Sequence, residues 1–308
     1  MTIPAITRTM GLKAWTMIIV LSILWGGSFF FVGVAVREWP PATVALCRVG
    51  GAAIVLWPVI WIIGQRMPLD GLIWRAFFTM GLLNNAIPFL LNFWGQTHIA
   101  SGVASILNAT SPLFTALVAH VLTDDEKMGA RHIAGVLLGL SGVAVMVGGE
   151  ALLQSGASLW PVLGQMAIAA AALAYAFGGV FGRRFSGLGV TPLQTATGQV
   201  TASSAIILPL ALVIDQPWSL PAPSLFAGLS LAGLAILSTA LAYIFYFRVI
   251  ATAGANNAML VTFLIPVSAI GLGVAFLGES LAARHIAGMM LIAAGLIAID
   301  GRLLPRRA

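Results

Sequence analysis

The sequence predicts an all-α integral membrane protein of ten transmembrane helices, arranged as an inverted repeat of five and five. Three observations carry this prediction. Of 308 residues 60% are hydrophobic and only 8% charged, with a mean hydropathy of +1.02, against roughly 25% charged in a typical soluble domain. Apolar runs close to the roughly 20 residues needed to cross a bilayer recur ten times. And the segment Glu126-Lys127-Met128-Gly129-Ala130-Arg131-His132-Ile133-Ala134-Gly135 returns as Glu279-Ser280-Leu281-Ala282-Ala283-Arg284-His285-Ile286-Ala287-Gly288.

The ten runs lie at about 14–36, 42–64, 71–95, 99–122, 131–149, 158–182, 192–214, 222–247, 254–277 and 285–301. The first follows Arg8 and Lys13, as a signal peptide would, but exceeds the roughly 7–15 apolar residues of a cleaved leader and reads as an uncleaved span. The connections hold nearly all the charge and are short, so neighbouring helices pack antiparallel. The most polar are Asp124-Asp125-Glu126-Lys127 and Asp215-Gln216-Pro217. Helices are the sensible assignment throughout, because open strands leave backbone groups unpaired in hydrocarbon. The two halves fall at 1–150 and 151–308.

The basic residues orient the bundle. With an internal N-terminus, the inner segments carry Arg8, Lys13, Arg66, Arg75, Lys127, Arg131, Arg183, Arg184, Arg248, Arg302, Arg306 and Arg307. The outer loops carry only Arg37 and Arg284, and Arg48 lies within a span. Twelve of the 15 basic residues on one side place both termini in the cytoplasm, in the inner membrane of a bacterium. The net charge of +6 is thereby explained by loops facing an anionic leaflet, without a nucleic-acid partner.

Five spans separate the two copies of the repeated segment, an odd number, so the second copy enters the bilayer from the opposite side. Each copy has a proline upstream (Pro112, Pro266) and a second glycine downstream (Gly142, Gly295). Inverted repeats of this kind build secondary transporters with a solute site between the halves. Within the motif the glutamate and arginine are expected to bridge a tight turn, Gly135 and Gly288 to let helices approach closely, and His132 and His285 to be structural. The prolines remove helical hydrogen bonds mid-span. They read as hinges softened by Gly102, Gly254 and Gly271, or as static kinks that open a cavity.

Other classes are weaker. The single Cys47 excludes an internal disulfide and a multi-thiolate metal site. No metal and no cofactor is expected. An integral-membrane enzyme needs clustered ligands or a nucleophile with its base at membrane depth, and no such cluster stands in the spans.

In Trp25-Gly26, Pro41 with Arg48, Pro112, Glu126 to Gly142, Ala172-Leu173-Ala174-Tyr175-Ala176 with Arg183-Arg184, Pro266, Gly278-Glu279, Gly288 and Gly295, the chain resembles the EamA-type members of the drug/metabolite transporter superfamily. Within it the chain is most similar to bacterial YddG-type exporters of aromatic and other neutral amino acids. The resemblance implies export of a small molecule by alternating access through a central cavity, by a monomer, with no enzymatic activity. A carrier for another drug or metabolite is the alternative.

Polar side chains at mid-span depth are costly in lipid and usually face the protein interior. On that ground the expected substrate-binding residues are Trp25, Ser28, Asn84, Asn85, Asn108, Tyr175, Tyr243 and Thr262. Asn92, Thr110, Ser111, Ser238 and Thr239 share their depth, and Phe29, Phe89 and Trp94 could complete an aromatic wall. Amides and hydroxyls suit the two ends of a zwitterion. Arg48 could hold a substrate carboxylate, or cap helix carbonyls, or snorkel to the outer interface. No Asp or Glu lies near the middle of a span. This favours a facilitator over a proton antiporter, with His98 the residue best able to carry a proton instead.

Overall fold

A computed structural model describes residues 11–148, 158–253, 258 and 260–300. All its regular structure in that part of the chain is helical. Ten crossing elements follow one another. They are α1 (Leu12–Ala35), α2 (Pro41–Ile62), α3 (Gly71–Gln96), α4 (Ser101–Leu122), α5 (Ala130–Val147), α6 (Trp160–Gly182), α7 (Pro192–Asp215), α8 (Leu225–Ala253), α9 (Leu260–Leu277) and α10 (Ala283–Asp300). Among the described residues nine are apolar over membrane-crossing length, and Ala283–Ile299 is a shorter apolar helix. The protein is a multi-pass membrane protein.

The packing repeats with a two-fold relation between the halves. α1 lies on α9 and α8, while α6, its counterpart, lies on α4 and α3; α2 pairs with α7 and α5 with α10. The α5–α10 pair shows why the repeated motif needs its glycines. A Cβ on Gly135 would lie 2.8 Å from the Gly295 carbonyl oxygen, and one on Gly295 2.5 Å from that of Gly135. Gly142 and Gly288 meet in the same reciprocal way, at 2.7 and 2.6 Å. Backbones touch here without intervening side chains, the usual means of helix association in lipid.

The expected bridge between the motif's own glutamate and arginine does not form. Arg131 Nε donates to the Ala298 carbonyl of α10 at 2.7 Å, and Glu126 faces Arg183 at 3.6 Å. Glu279 reaches across to α4, where its carboxylate accepts from Ser101 N, Ser101 Oγ and Gly102 N at 2.7, 2.9 and 3.1 Å. Helix starts carry N–H groups without intrahelical partners, and these draw a carboxylate more strongly than a flexible, solvated cation does.

Two more carboxylates at the same end of the bundle do likewise. Asp215 accepts from Thr43 N and Oγ1 at the start of α2 (2.6 and 2.9 Å). Glu38 accepts from Ser224 N and Oγ at the start of α8 (2.7 and 2.6 Å). The Ser224 hydroxyl and N–H hold the Glu38 carboxyl below its ordinary range. Each of the three contacts joins one half to the other. At the opposite end Arg183 pairs with Asp125, whose carboxyl that hydrogen bond pulls down to about 2.

The two prolines differ. Pro112 follows a break: the helix over Ser101–Asn108 ends, Ala109 and Thr110 turn, and a new helix runs Ser111–Leu122. Pro112 offers no N–H to the Asn108 carbonyl, and Ser111 Oγ donates to it instead at 2.6 Å. Pro266 sits inside the continuous helix Leu260–Leu277. There Ser268 fastens the helix to α1 by donating to the Ser22 carbonyl at 2.8 Å. Gly254 lies outside the described residues.

Replacing Gly288 by Val should lower the unfolding temperature in detergent, because its Cβ would lie 2.6 Å from the Gly142 carbonyl oxygen and 2.2 Å from Met146 Cγ. Overpacking of this kind costs about 1–3 kcal/mol. Gly228→Ala, with open space around the new methyl, is the matched control and should leave unfolding unchanged.

Candidate functional site

A cavity of about 610 Å³ lies between the halves. At one end it is lined by Val32, Phe89, Phe93 and Gln96, all buried, and there it is closed. At the other it reaches Ser186 and Pro192 in the α6–α7 connection, both exposed, and there it opens. Arg183 and Arg184 stand at this open end, and the three carboxylate caps lie at the closed one.

Local departures from regular helix build the lining. α3 widens to a π-helix over Leu82–Ala86, carrying Asn84 and Asn85. Its counterpart α8 widens over Ile236–Leu241, carrying Ser238 and Thr239. Thr239 Oγ1 donates to the carbonyl of Leu234, five residues back, at 2.7 Å. Such single-turn π segments concentrate at functional sites. The break in α4 brings Asn108 and Ser111 to the same space.

Of the residues expected from sequence, Trp25, Ser28, Asn84, Asn108, Tyr175, Tyr243 and Thr262 line the cavity, with Phe29, Phe89, Asn92, Ser111, Ser238 and Thr239. Asn85 does not. It is fully buried behind the wall, where its Nδ2 donates to Ser203 Oγ at 2.9 Å and its Oδ1 accepts from the Tyr243 hydroxyl at 3.2 Å. Adjacent residues on a helix point about 100° apart, so two neighbouring amides cannot share one face. Asn85 positions Tyr243. Thr110 also turns away, donating to the Leu107 carbonyl at 2.6 Å.

The aromatic wall loses Trp94, whose ring packs edge-on against His98 with centroids 4.7 Å apart. His98 in turn stacks on Trp160 at 5.2 Å, outside the cavity lining. The wall gains Tyr246, tilted against Trp25 at 5.3 Å.

Arg48 neither caps a carbonyl nor snorkels. Its guanidinium is buried, donating from Nε to Thr239 Oγ1 at 3.0 Å and from Nη1 to Ser28 Oγ at 2.9 Å. Its Cζ lies 4.0 Å from the centre of the Phe89 ring. Both hydroxyls and the ring face it from other spans, information absent from its neighbours in sequence. Gln199, the residue that takes its place in the second half, also lines the cavity and accepts from Asn84 Nδ2 at 3.3 Å. The pairs Arg48–Thr239 and Gln199–Asn84 are thus related by the two-fold, one charged and one neutral.

Residues 12–148 and 162–299 each match the EamA-like transporter family. The chain belongs to that family. It is similar to "Protein PecM" of Dickeya dadantii (28% identity, 92% of this chain and 91% of that one). It is similar to the "Uncharacterized inner membrane transporter YedA" of Escherichia coli (27%, 93% and 91%). It also resembles the "Probable terminal-alkyne amino-acid exporter" of Streptantibioticus cattleyicolor (26%, 95% of each). A solved crystal structure at 21% identity superposes with a TM-score of 0.65 over 96% of this chain and 98% of that one, a likeness of fold. The protein is a membrane transporter.

Asn85→Leu should lower the unfolding temperature, because it removes the hydrogen bonds to Ser203 Oγ and from the Tyr243 hydroxyl; each hydrogen bond contributes about 0.5–1.5 kcal/mol. Asn84→Ala, at the cavity wall, should reduce solute flux more than it reduces stability. Unfolding in detergent and flux into liposomes, measured on both variants, separate the two roles.

Proposed function

We propose that this EamA-family transporter exports small metabolites, principally neutral and aromatic amino acids, across the bacterial inner membrane by alternating access. The observation that carries the reading is the chemistry of the cavity wall. It offers amides (Asn84, Asn92, Asn108), hydroxyls (Ser28, Tyr175, Tyr243, Thr262) and aromatic faces (Trp25, Phe29), and among the described residues its lining contains no Asp or Glu. Such a wall binds both ends of a zwitterion and an apolar side chain, and gives an organic cation no counter-charge. Similarity to a probable amino-acid exporter in Streptantibioticus cattleyicolor supports it, as does the sequence resemblance to YddG-type exporters.

With both termini cytoplasmic, the open mouth beside Arg183 and Arg184 faces inward. Loading from the cytoplasm is the direction an exporter needs. Pro112, at the break in α4, is then the hinge of the first half, and Pro266 bends α9 without breaking it. The missing carboxylates favour a facilitator. His98, between Trp94 and Trp160, is poorly placed to couple protons to solute.

Purified protein in liposomes should exchange labelled phenylalanine with neither a pH gradient nor a membrane potential, and an imposed pH gradient should not drive accumulation above equilibrium. His98→Gln should behave like the parent. Uphill accumulation abolished in that variant would replace the facilitator with a proton antiporter, and absence of amino-acid exchange under every condition would overturn the substrate assignment. Tags at either terminus should report the cytoplasm and a tag near Gln154, outside the described residues, the far side.

A further inference from the structure

We propose that the closed end of the cavity is a built carboxylate subsite: Arg48 takes the carboxylate of the solute, and the amide oxygens of Asn92 and Gln96 take its ammonium group. The inference rests on the transport reading above and names what the site selects.

Arg48 is a buried cation without a buried anion. It is 8% exposed, and no Asp or Glu among the described residues is buried. Two hydroxyls and a ring face hold the guanidinium in place, but none of them neutralises it. Nε and one hydrogen of Nη1 are engaged. Nη2 has no protein acceptor, and it is not among the buried atoms sealed off without a partner, so it meets the cavity. A guanidinium stays protonated and presents paired N–H groups that match a carboxylate. Burying a charge with no opposite charge is expensive. A ligand carboxylate would supply the missing one.

The second half of the subsite lies on one stripe of α3. Phe89, Asn92, Phe93 and Gln96 recur at helical spacing and all line the cavity. Phe89 and Phe93 stack with centroids 5.8 Å apart, and the Arg48 guanidinium lies over both, at 4.0 and 5.9 Å. Asn92 and Gln96 line the cavity, but in this state Asn92 Oδ1 and both polar atoms of Gln96 are turned away from its open space and have no hydrogen-bond partner. Buried polar groups are nearly always paired in a resting protein. Rotated into the cavity, the two amide oxygens would accept from an ammonium group, with the Gln96 Nε2, a donor, pointing away from it. The two-fold sharpens the selection. Gln199 stands in the equivalent place, neutral and engaged by Asn84, so only one of the two symmetric positions attracts an anion, and the solute enters in one orientation.

The test uses three probes that share one side chain, and chloride. Phenylalanine has both charged ends, phenylalaninamide has lost the carboxylate, hydrocinnamate has lost the ammonium group, and chloride is a bare anion. Thermal unfolding of the purified protein in a low-salt buffer free of chloride and carboxylates reads binding, and competition against labelled phenylalanine in liposomes reads transport. Phenylalanine should stabilise most, hydrocinnamate should follow, and phenylalaninamide should bind at least about tenfold more weakly than phenylalanine, about 1.4 kcal/mol. Arg48→Gln should erase that ranking. If this variant does not fold, the ranking in the parent still decides. Equal binding of phenylalanine and its amide overturns the subsite even where phenylalanine is transported. Stabilisation by chloride equal to that by phenylalanine overturns it in favour of an inorganic anion site. Stabilisation by the carboxylates without any flux would leave the subsite standing and sink the export reading.

Discussion

Hydrocarbon offers no partner to an unpaired N–H or C=O, and this one constraint decides where the chain can afford irregular backbone. Among the described residues, most of its departures from regular helix within the spans surround the cavity: the widened turns of α3 and α8 and the break in α4. The widened end of α7 delivers Asp215 onto the start of α2. Around the cavity, side-chain hydroxyls repair the disturbed backbone: Thr239 to Leu234, Ser111 to Asn108, Thr110 to Leu107. Thr239 and Ser111, which line the cavity, are thus also ones that make the irregular backbone tolerable.

The two-fold relation supplies the frame, and its violations make the cavity chemically asymmetric. Gly135, Gly142, Gly288 and Gly295 meet reciprocally, so the two motif copies form one contact of the halves with each other. Lipid tails are as apolar as leucine, and close backbone packing is what drives such a pair together. Inside the cavity the symmetry holds for position but fails for chemistry. Arg48 faces Thr239 where Gln199 faces Asn84, and α4 breaks at its proline where α9 runs on. A perfectly symmetric site would bind a zwitterion equally well either way round. This one is polar.

The order and number of the spans, and the close approach at the motif glycines, were legible because each depends on local composition: apolar length and small residues at fixed spacing. Depth in the membrane was also legible, which is why most of the polar residues picked for depth do reach the cavity. Direction was not. Asn84 and Asn85 share a depth and differ only by a rotation of about 100°, and the π turn that carries them shifts that rotation further. Trp94 faced the same ambiguity. The destinations of Glu279 and Arg48 lie 178 and 191 residues away in the chain, so nothing nearby announces them. The expected Glu–Arg bridge was the nearest partner in sequence, and helix starts on other spans outcompeted it.

The contacts at the two ends of the bundle differ in kind. At the closed end three carboxylates each accept from backbone N–H and side-chain hydroxyl at the first turn of a helix in the opposite half. At the open end the tie between halves is the exposed pairing of Arg183 with Asp125 and Glu126, and exposed ion pairs contribute only about 0–1 kcal/mol. The stronger set holds the end that is shut, which accounts for the conformation observed. Yet the groups it engages are ones a helix leaves unpaired in any case. Water can replace the carboxylates at a membrane surface with a net change of about 0.5–1.5 kcal/mol per hydrogen bond. Contacts built from helix caps therefore hold this end firmly as a set, and no helix depends on them for its own hydrogen bonds.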